Sequence, residues 1–281
     1  MNRISIIGSG HVATHLAHAF RSRGAHIVQI SSRTLAHAQA LATTVGAQAT
    51  DNVDDLLPAD LYIIAVTDSA IREVASRLHP ADAPVVHTAG SAPLSTLDAC
   101  PRAGVLYPMQ TFSRSRLTID WNSIPLFIEA RDDATLALLK TYAQQLSPDV
   151  READSAQRLQ LHTAAVFACN YVNYLLTIAA DLSGAHFPTF HPLVCETIEK
   201  AFAAPHPRDV QTGPAARNDR DTIATQLAAL PPQYQTLYAD LSARINHHTL
   251  LPSPTENNTP CTITKKNYTP SKPLPSTSTA Y

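Results

Sequence analysis

Cysteines are few in this chain, and none is set in a pair. Cys100, Cys169, Cys195 and Cys261 include no C-x-x-C and no spacing typical of a zinc site. That excludes a disulfide framework and predicts a reduced, cytoplasmic protein with no structural metal. An excess of one charge is also missing: 21 basic against 23 acidic residues leave a formal net charge of −2. Neither a nucleic-acid surface nor an acidic tail is indicated. No leader pattern precedes the apolar run that begins at Arg3, which agrees with the cytoplasmic expectation.

One segment lacks charge altogether. Residues 161–180 contain no Asp, Glu, Lys or Arg, a length sufficient to span a bilayer. His162, Asn170 and Asn173 lie within it, and an isolated spanning helix would carry all three through hydrocarbon. A helix enclosed by protein, in a core or an interface, is therefore expected.

What the chain does have is a nucleotide-binding opening. An apolar strand leads into Gly8, Ser9, Gly10, His11, Val12 and Ala13, and then into a helical pattern at Leu16, Ala19 and Phe20. Gly8 allows the tight turn, Gly10 admits a pyrophosphate to the backbone, and Ala13 lets helix pack on sheet. The free N–H groups at the helix start would face the phosphates. A second apolar run, residues 26–30, completes a βαβ unit. It ends in Ser31, Ser32, Arg33 and Thr34 with no acid in reach. NAD sites place a carboxylate there for the ribose hydroxyls, whereas Arg with small hydroxyl residues suits a 2′-phosphate, so NADP is the expected cofactor. The plainer alternative makes Ser32 a helix cap and Arg33 a solvated charge.

Further apolar runs at 61–66, 84–87, 105–107 and 125–128 alternate with helical patterns at 36–45, 69–78 and 134–146. That alternation predicts an α/β domain with a doubly wound sheet over residues 1–152, closed by a short edge strand at 150–152. An all-helical domain is expected over 153–250, with helices at 155–182, 189–203, 222–230 and 233–246. Residues 251–281 are rich in Pro, Ser, Thr and Asn and read as a disordered tail.

Ligands bind beyond the carboxyl ends of such strands. Val66, Thr67 and Asp68 are candidates for the cofactor, with helix capping by Asp68 as the alternative. His87 and Gly90 are expected beside the nicotinamide ring, His87 being equally readable as a structural histidine. Gln110 and Thr111 offer a wall for a small substrate, and Arg217 can take an anionic substrate group, unless it only pairs with Asp219 as that residue caps a helix. His162 and Asn173 are eleven residues apart, close to three helical turns, with Asn170 a quarter turn away. His162 is the candidate proton donor, with the two asparagines on its face; the competing arrangement bonds these groups to each other or to backbone.

These motifs together resemble a family of bacterial Rossmann-like NADP oxidoreductases whose helical half is called domain of unknown function 2520. The resemblance covers residues 1–247. It rests on residues 8–13, 32–34, 87–90, 107–112, 162–173 and Thr212 to Asp219. It implies an N-terminal cofactor domain, a C-terminal helical domain that often dimerises, and kinship with pyrroline-5-carboxylate reductase, ketopantoate reductase and the 6-phosphogluconate and 3-hydroxyisobutyrate dehydrogenases. The hydroxyacid members use a lysine on the long helix as proton donor. Here the lysines before the tail are Lys140 and Lys200, neither on that helix. The imine-reducing branch is thus the less contradicted relative. The leading expectation is hydride transfer between NADP and a small C=N or C=O substrate in an interdomain cleft. A non-catalytic NADP-binding sensor with a helical dimerisation domain is the alternative, and a degenerate domain without nucleotide a third.

Overall fold

The structure, a computed structural model, describes residues 2–250 apart from 79–81, 114, 115 and 118, and omits the side chains of 248–250. The tail expected over 251–281 lies outside the described residues. β1 (Arg3–Ile7), α1 (His11–Ser22), β2 (His26–Ser31), α2 (Leu35–Val45) and β3 (Gln48–Thr50) open the fold. β4 (Leu61–Ile64), α3 (Ile71–Arg77), β5 (Val85–His87), β6 (Ala103–Pro108), β7 (Leu126–Ala130), α4 (Asp133–Leu146) and β8 (Val150–Glu152) follow. They form one sheet of eight strands in the order β3-β2-β1-β4-β5-β6-β7-β8.

Strand alternation sorts the apolar residues onto two faces. Ile4, Ile6, Leu61 and Ile63 pack with Leu16, Phe20 and Leu41 on one side, while Ile7, Tyr62 and Ile64 pack with Ile71 and Leu97 on the other. Both faces being covered, the central strands are apolar throughout, as parallel strands usually are. Every neighbouring pair is parallel except β6 and β7, which run antiparallel. The reason is the connection: between Pro108 and Leu126 the described chain makes only a short 3-10 turn at Trp121–Ser123, without the helix of a parallel crossover. Chain direction reverses between β1 and β4, where such sheets hold ligands.

The helical run begins with α5 (Ser155–Ala165), capped by Asp154, which accepts from the Gln157 N–H at 2.8 Å while the Gln157 side chain accepts from the Asp154 N–H at 3.0 Å. A π-helical turn (Val166–Tyr171) leads directly into α6 (Val172–Ser183). α7 (His191–Ala203), α8 (Arg220–Ala229) and α9 (Pro232–Leu250) complete it. The change to helices falls near 153 as expected. Packing, however, divides the chain into two compact units between Leu176 and Thr177, so α5 and the π turn belong with the sheet.

The expectation of enclosure within the chain's own core is corrected here. No residue of 161–180 is fully buried, and Phe167 is 64 % exposed. The helical stretch Ser155–Ala203 is long and apolar enough by composition to cross a membrane. Its apolar surface exceeds what one copy of the chain covers.

Candidate functional site

The carboxyl ends of β1, β2, β4, β5 and β6 open into a cleft of about 820 Å3, within the range usual for cofactor sites. All of its lining belongs to the first unit. At its centre is the glycine turn. Gly8 has φ +127°, and a Cβ there would lie 2.2 Å from the Ala65 carbonyl oxygen, so only glycine lets β1 end this close to β4. Its N–H donates to Ser31 O at 2.7 Å, and the Ser9 hydroxyl donates to Ser32 at 2.9 Å, tying the turn to the end of β2.

Gly10 caps α1 without any side-chain hydrogen bond, and the first turn of α1 carries no acid. The orphan N–H groups and positive dipole end therefore remain available to an anion. A Cβ on Gly10 would meet nothing within 4 Å, so the space is kept open at that point. Along the β2 side the cleft is lined by Ser32, Arg33, Thr34 and His37. Arg33 is exposed and has no ion-pair partner among the described residues. These features fit a dinucleotide with an extra phosphate: the α1 N-terminus for the pyrophosphate, Arg33 with its hydroxyl neighbours for the 2′-phosphate.

His11 and Val12 line the same turn, and His11 Nδ1 lies 3.1 Å from Phe112 O. One turn on, buried His15 brings Nε2 within 2.9 Å of Ser113 O and packs against the Phe112 ring at 4.7 Å. Two histidines on one face of α1 thus hold the connection after β6 to the cofactor turn. His15 escaped the sequence reading because a buried histidine has no local signature.

Val66, Thr67 and Asp68 line the cleft. Asp68 caps neither the 3-10 turn it begins nor α3; its carboxylate accepts from the Ser91 hydroxyl. Gly90 also lines the cleft, but His87 does not. His87 is fully buried behind the wall, with Nδ1 accepting from the Ala89 N–H at 3.2 Å. Burial, aided by the Arg158 charge, lowers its pKa to about 4, so it stays neutral at physiological pH. Its Nε2 meets no partner within hydrogen-bond limits, although the Pro93 carbonyl is near enough to oppose that fall. The structural alternative for His87 is the one observed.

His162 lies in the cleft with Tyr107, the two groups meeting at 3.0 Å between Nδ1 and the phenol oxygen. A Cβ on Gly90 would come within 2.5 Å of that ring nitrogen, so this glycine makes room for the imidazole. Gln110 lines the cleft, its Oε1 accepting from the Thr111 N–H at 2.7 Å, whereas Thr111 is exposed outside it.

Asn170 and Asn173 are not brought to His162. Both are exposed and absent from the lining. The π turn between them and His162 widens the helix by about one residue, turning everything after it by roughly 100°. An ideal three-turn repeat therefore misplaced them. Arg217 is exposed in the second unit, where Asp219 caps α8 by accepting from the Thr222 N–H at 3.1 Å and its hydroxyl at 2.8 Å. Those two bonds, and to a lesser degree the Arg217 charge, hold the Asp219 carboxyl below its ordinary pKa.

Beneath the site lies a group that sequence reasoning missed. Arg158 of α5 is fully buried and pairs with Glu129 of β7. It also donates to the carbonyls of Ala92 at 2.6 Å and Ala89 at 3.3 Å, which flank Gly90. Ser155 joins it, donating to Glu129 at 2.9 Å and accepting from the Leu94 N–H at 3.0 Å. Among the described residues no cluster of three or more His, Cys, Asp or Glu is set for a metal ion.

Residues 3–89 match the family described as "NADP oxidoreductase coenzyme F420-dependent", and residues 124–245 match the domain of unknown function DUF2520. The "putative NADP oxidoreductase BF3122" of Bacteroides fragilis is 41 % identical, with a TM-score of 0.82 over 88 % of this chain and 98 % of that one. An imine reductase from Myxococcus stipitatus, solved with NADP+, shares the fold at 15 % identity, TM-score 0.56, over 87 % and 92 % of the two chains. A 1-pyrroline-5-carboxylate reductase from Streptococcus pyogenes does so at 15 % identity, TM-score 0.58, over 88 % and 98 %. The comparison with curated proteins found no match.

Proposed function

The chain belongs to the NADP oxidoreductase family of the Bacteroides fragilis protein, and from that premise we propose that it moves a hydride between NADP and a small C=N or C=O compound held beside His162. The observation that carries this reading is the placing of the His162–Tyr107 pair against Gly90, in the same cleft whose β2 side presents Arg33. When bound, the cofactor supplies the hydride. The chain's share is to hold substrate, shed water and offer a hydrogen-bond donor to the atom that gains charge. In this reading Gln110 contacts substrate and Arg217 is the cation for an anionic substrate group. Resemblance to an imine reductase in fold favours imines for a first screen. NADPH oxidation against a panel of cyclic imines, ketoacids and aldehydes tests it; no turnover with any of them, in protein that binds NADPH, sinks the catalytic reading and leaves the sensor.

Removal of the Arg33 side chain is expected to weaken NADPH binding by about 1–3 kcal/mol, the worth of a charge-assisted contact, while NADH binding hardly changes. Calorimetric titration of Arg33→Ala with each cofactor reads the difference. Equal losses would place the 2′-phosphate elsewhere.

We infer a homodimer in the cytoplasm. In the second unit Leu193 is 62 % and Phe202 76 % exposed, and in the first Phe167 and Tyr174 are more than half exposed, a load of apolar surface that monomers rarely show. The thiols Cys100, Cys169 and Cys195 accord with a reducing compartment. Sedimentation velocity of the full chain is expected to show a dimer that Phe202→Asp shifts toward monomer. Flotation with lipid vesicles would instead make the apolar stretch a membrane contact.

A further inference from the structure

We propose that Tyr107 sets His162 as a neutral hydrogen-bond donor: the phenol donates to Nδ1, and the ring's one proton then sits on Nε2. The consequence for catalysis rests on the hydride-transfer reading above; the polarity of the hydrogen bond does not.

The inference begins with the tyrosine. Tyr107 ends β6, is 8 % exposed, and stacks on Phe127 at 6.3 Å between ring centroids. Its hydroxyl has one hydrogen to place, and a buried hydroxyl hydrogen takes an acceptor. The hydroxyl's partner among the described residues is His162 Nδ1 at 3.0 Å, with the two rings edge to face at 74°. A ring nitrogen that accepts carries no proton, so a neutral imidazole in this bond is protonated on Nε2. Nε2 has no partner among the described residues, and His162 lines the cleft. Gly90 closes the other side of the ring, where any Cβ would collide with Nδ1 and Cγ at 2.5 and 2.7 Å. The imidazole is thus held between phenol and glycine in one orientation.

The surroundings keep the phenol protonated yet ready to donate. Burial raises the Tyr107 pKa above its ordinary value, while the Arg158 guanidinium opposes that rise and favours charge developing on the oxygen. Arg158 lies one turn before His162 on α5 and is paired with Glu129 of β7. The other titratable groups about the pair are the Cys169 thiol of the π turn and His87 behind the β5 end, which burial keeps neutral.

In the reductive direction, the substrate atom that receives the electron pair with the incoming hydride takes the Nε2 proton. Nδ1 takes the Tyr107 proton in turn, and the phenolate left beside Arg158 regains a proton from water. The reverse reaction runs each transfer backwards. A neutral N–H donor needs a lone pair to meet, so this arrangement suits a carbonyl or a neutral imine, not a preformed iminium.

The experiment is two-bond 1H–15N correlation of the full chain with 15N-histidine, at alkaline pH where imidazoles are neutral. His162→Gln identifies the resonances by their loss from among the 13 histidines. The expected spectrum has an unprotonated, hydrogen-bonded Nδ1 and a protonated Nε2, with the Nδ1 signal moving to its unbonded position in Tyr107→Phe. A protonated Nδ1 in the unaltered chain overturns the proposal, and that spectrum decides even if Tyr107→Phe does not fold. Failure of the substrate panel leaves this result untouched, so the two readings fail separately.

Discussion

Replacing Arg158 by methionine is expected to destabilise the fold by about 3–5 kcal/mol, the usual effect of breaking a buried ion pair from one side. The Arg158 side chain is 1 % exposed and that of Glu129 17 %, so water cannot take over the lost contacts. The change leaves the Glu129 carboxylate without its cation and the carbonyls of Ala89 and Ala92 without a donor. Methionine fills much of the volume, which confines the effect to polar groups left unsatisfied. Urea unfolding followed by circular dichroism measures it. Pairing the change with Glu129→Gln should cost less than the sum of the single changes, because no charge is then stranded. A loss below about 1 kcal/mol for Arg158→Met would show that the pair is hydrated and does not lock the loop under Gly90.

That network marks where sequence reading stops. Glu129 and Arg158 are 29 residues apart, and each alone reads as a surface charge. Only the sheet order, which sets β7 beside β6 and β8, brings them together. The glycine turn was legible for the opposite reason. Gly8, Gly10 and Ala13 act over a few residues, and their roles follow from local sterics. The strands starting at His26 and Leu61 and the edge strand Val150–Glu152 stood where apolar runs put them. The three-residue β3 was missed, because Gln48, Ala49 and Thr50 have no apolar run to show. On the long helix the period itself misled. Asn170 and Asn173 lie in or beyond the π turn, and nothing in Val166–Tyr171 announces a change from 3.6 residues per turn. Tyr107 was read as part of a wall; its bond to a residue 55 positions away made it part of the site.

With an accepted substrate, His162→Ala is expected to lower kcat by about 10²- to 10³-fold, the usual result of removing one donor from the atom that gains charge. NADPH affinity should stay within about twofold, because that donor acts on substrate and is felt mainly in the transition state. His162→Gln separates two roles for the ring. A glutamine amide offers an N–H near the position of Nε2 but cannot pass a proton on from Tyr107. Partial activity in the glutamine variant would assign most of the effect to hydrogen bonding, and activity as low as that of the alanine variant would assign it to proton transfer. The pH dependence gives an independent sign. An imidazolium acid would lose activity as pH rises through the imidazole range near ~6.5. A neutral donor backed by a phenol, whose pKa burial pushes upward, should hold its rate until the phenol ionises. Equal turnover by His162→Ala and the unaltered enzyme would remove this histidine from the chemistry and leave Tyr107 as the cleft's remaining donor on that wall.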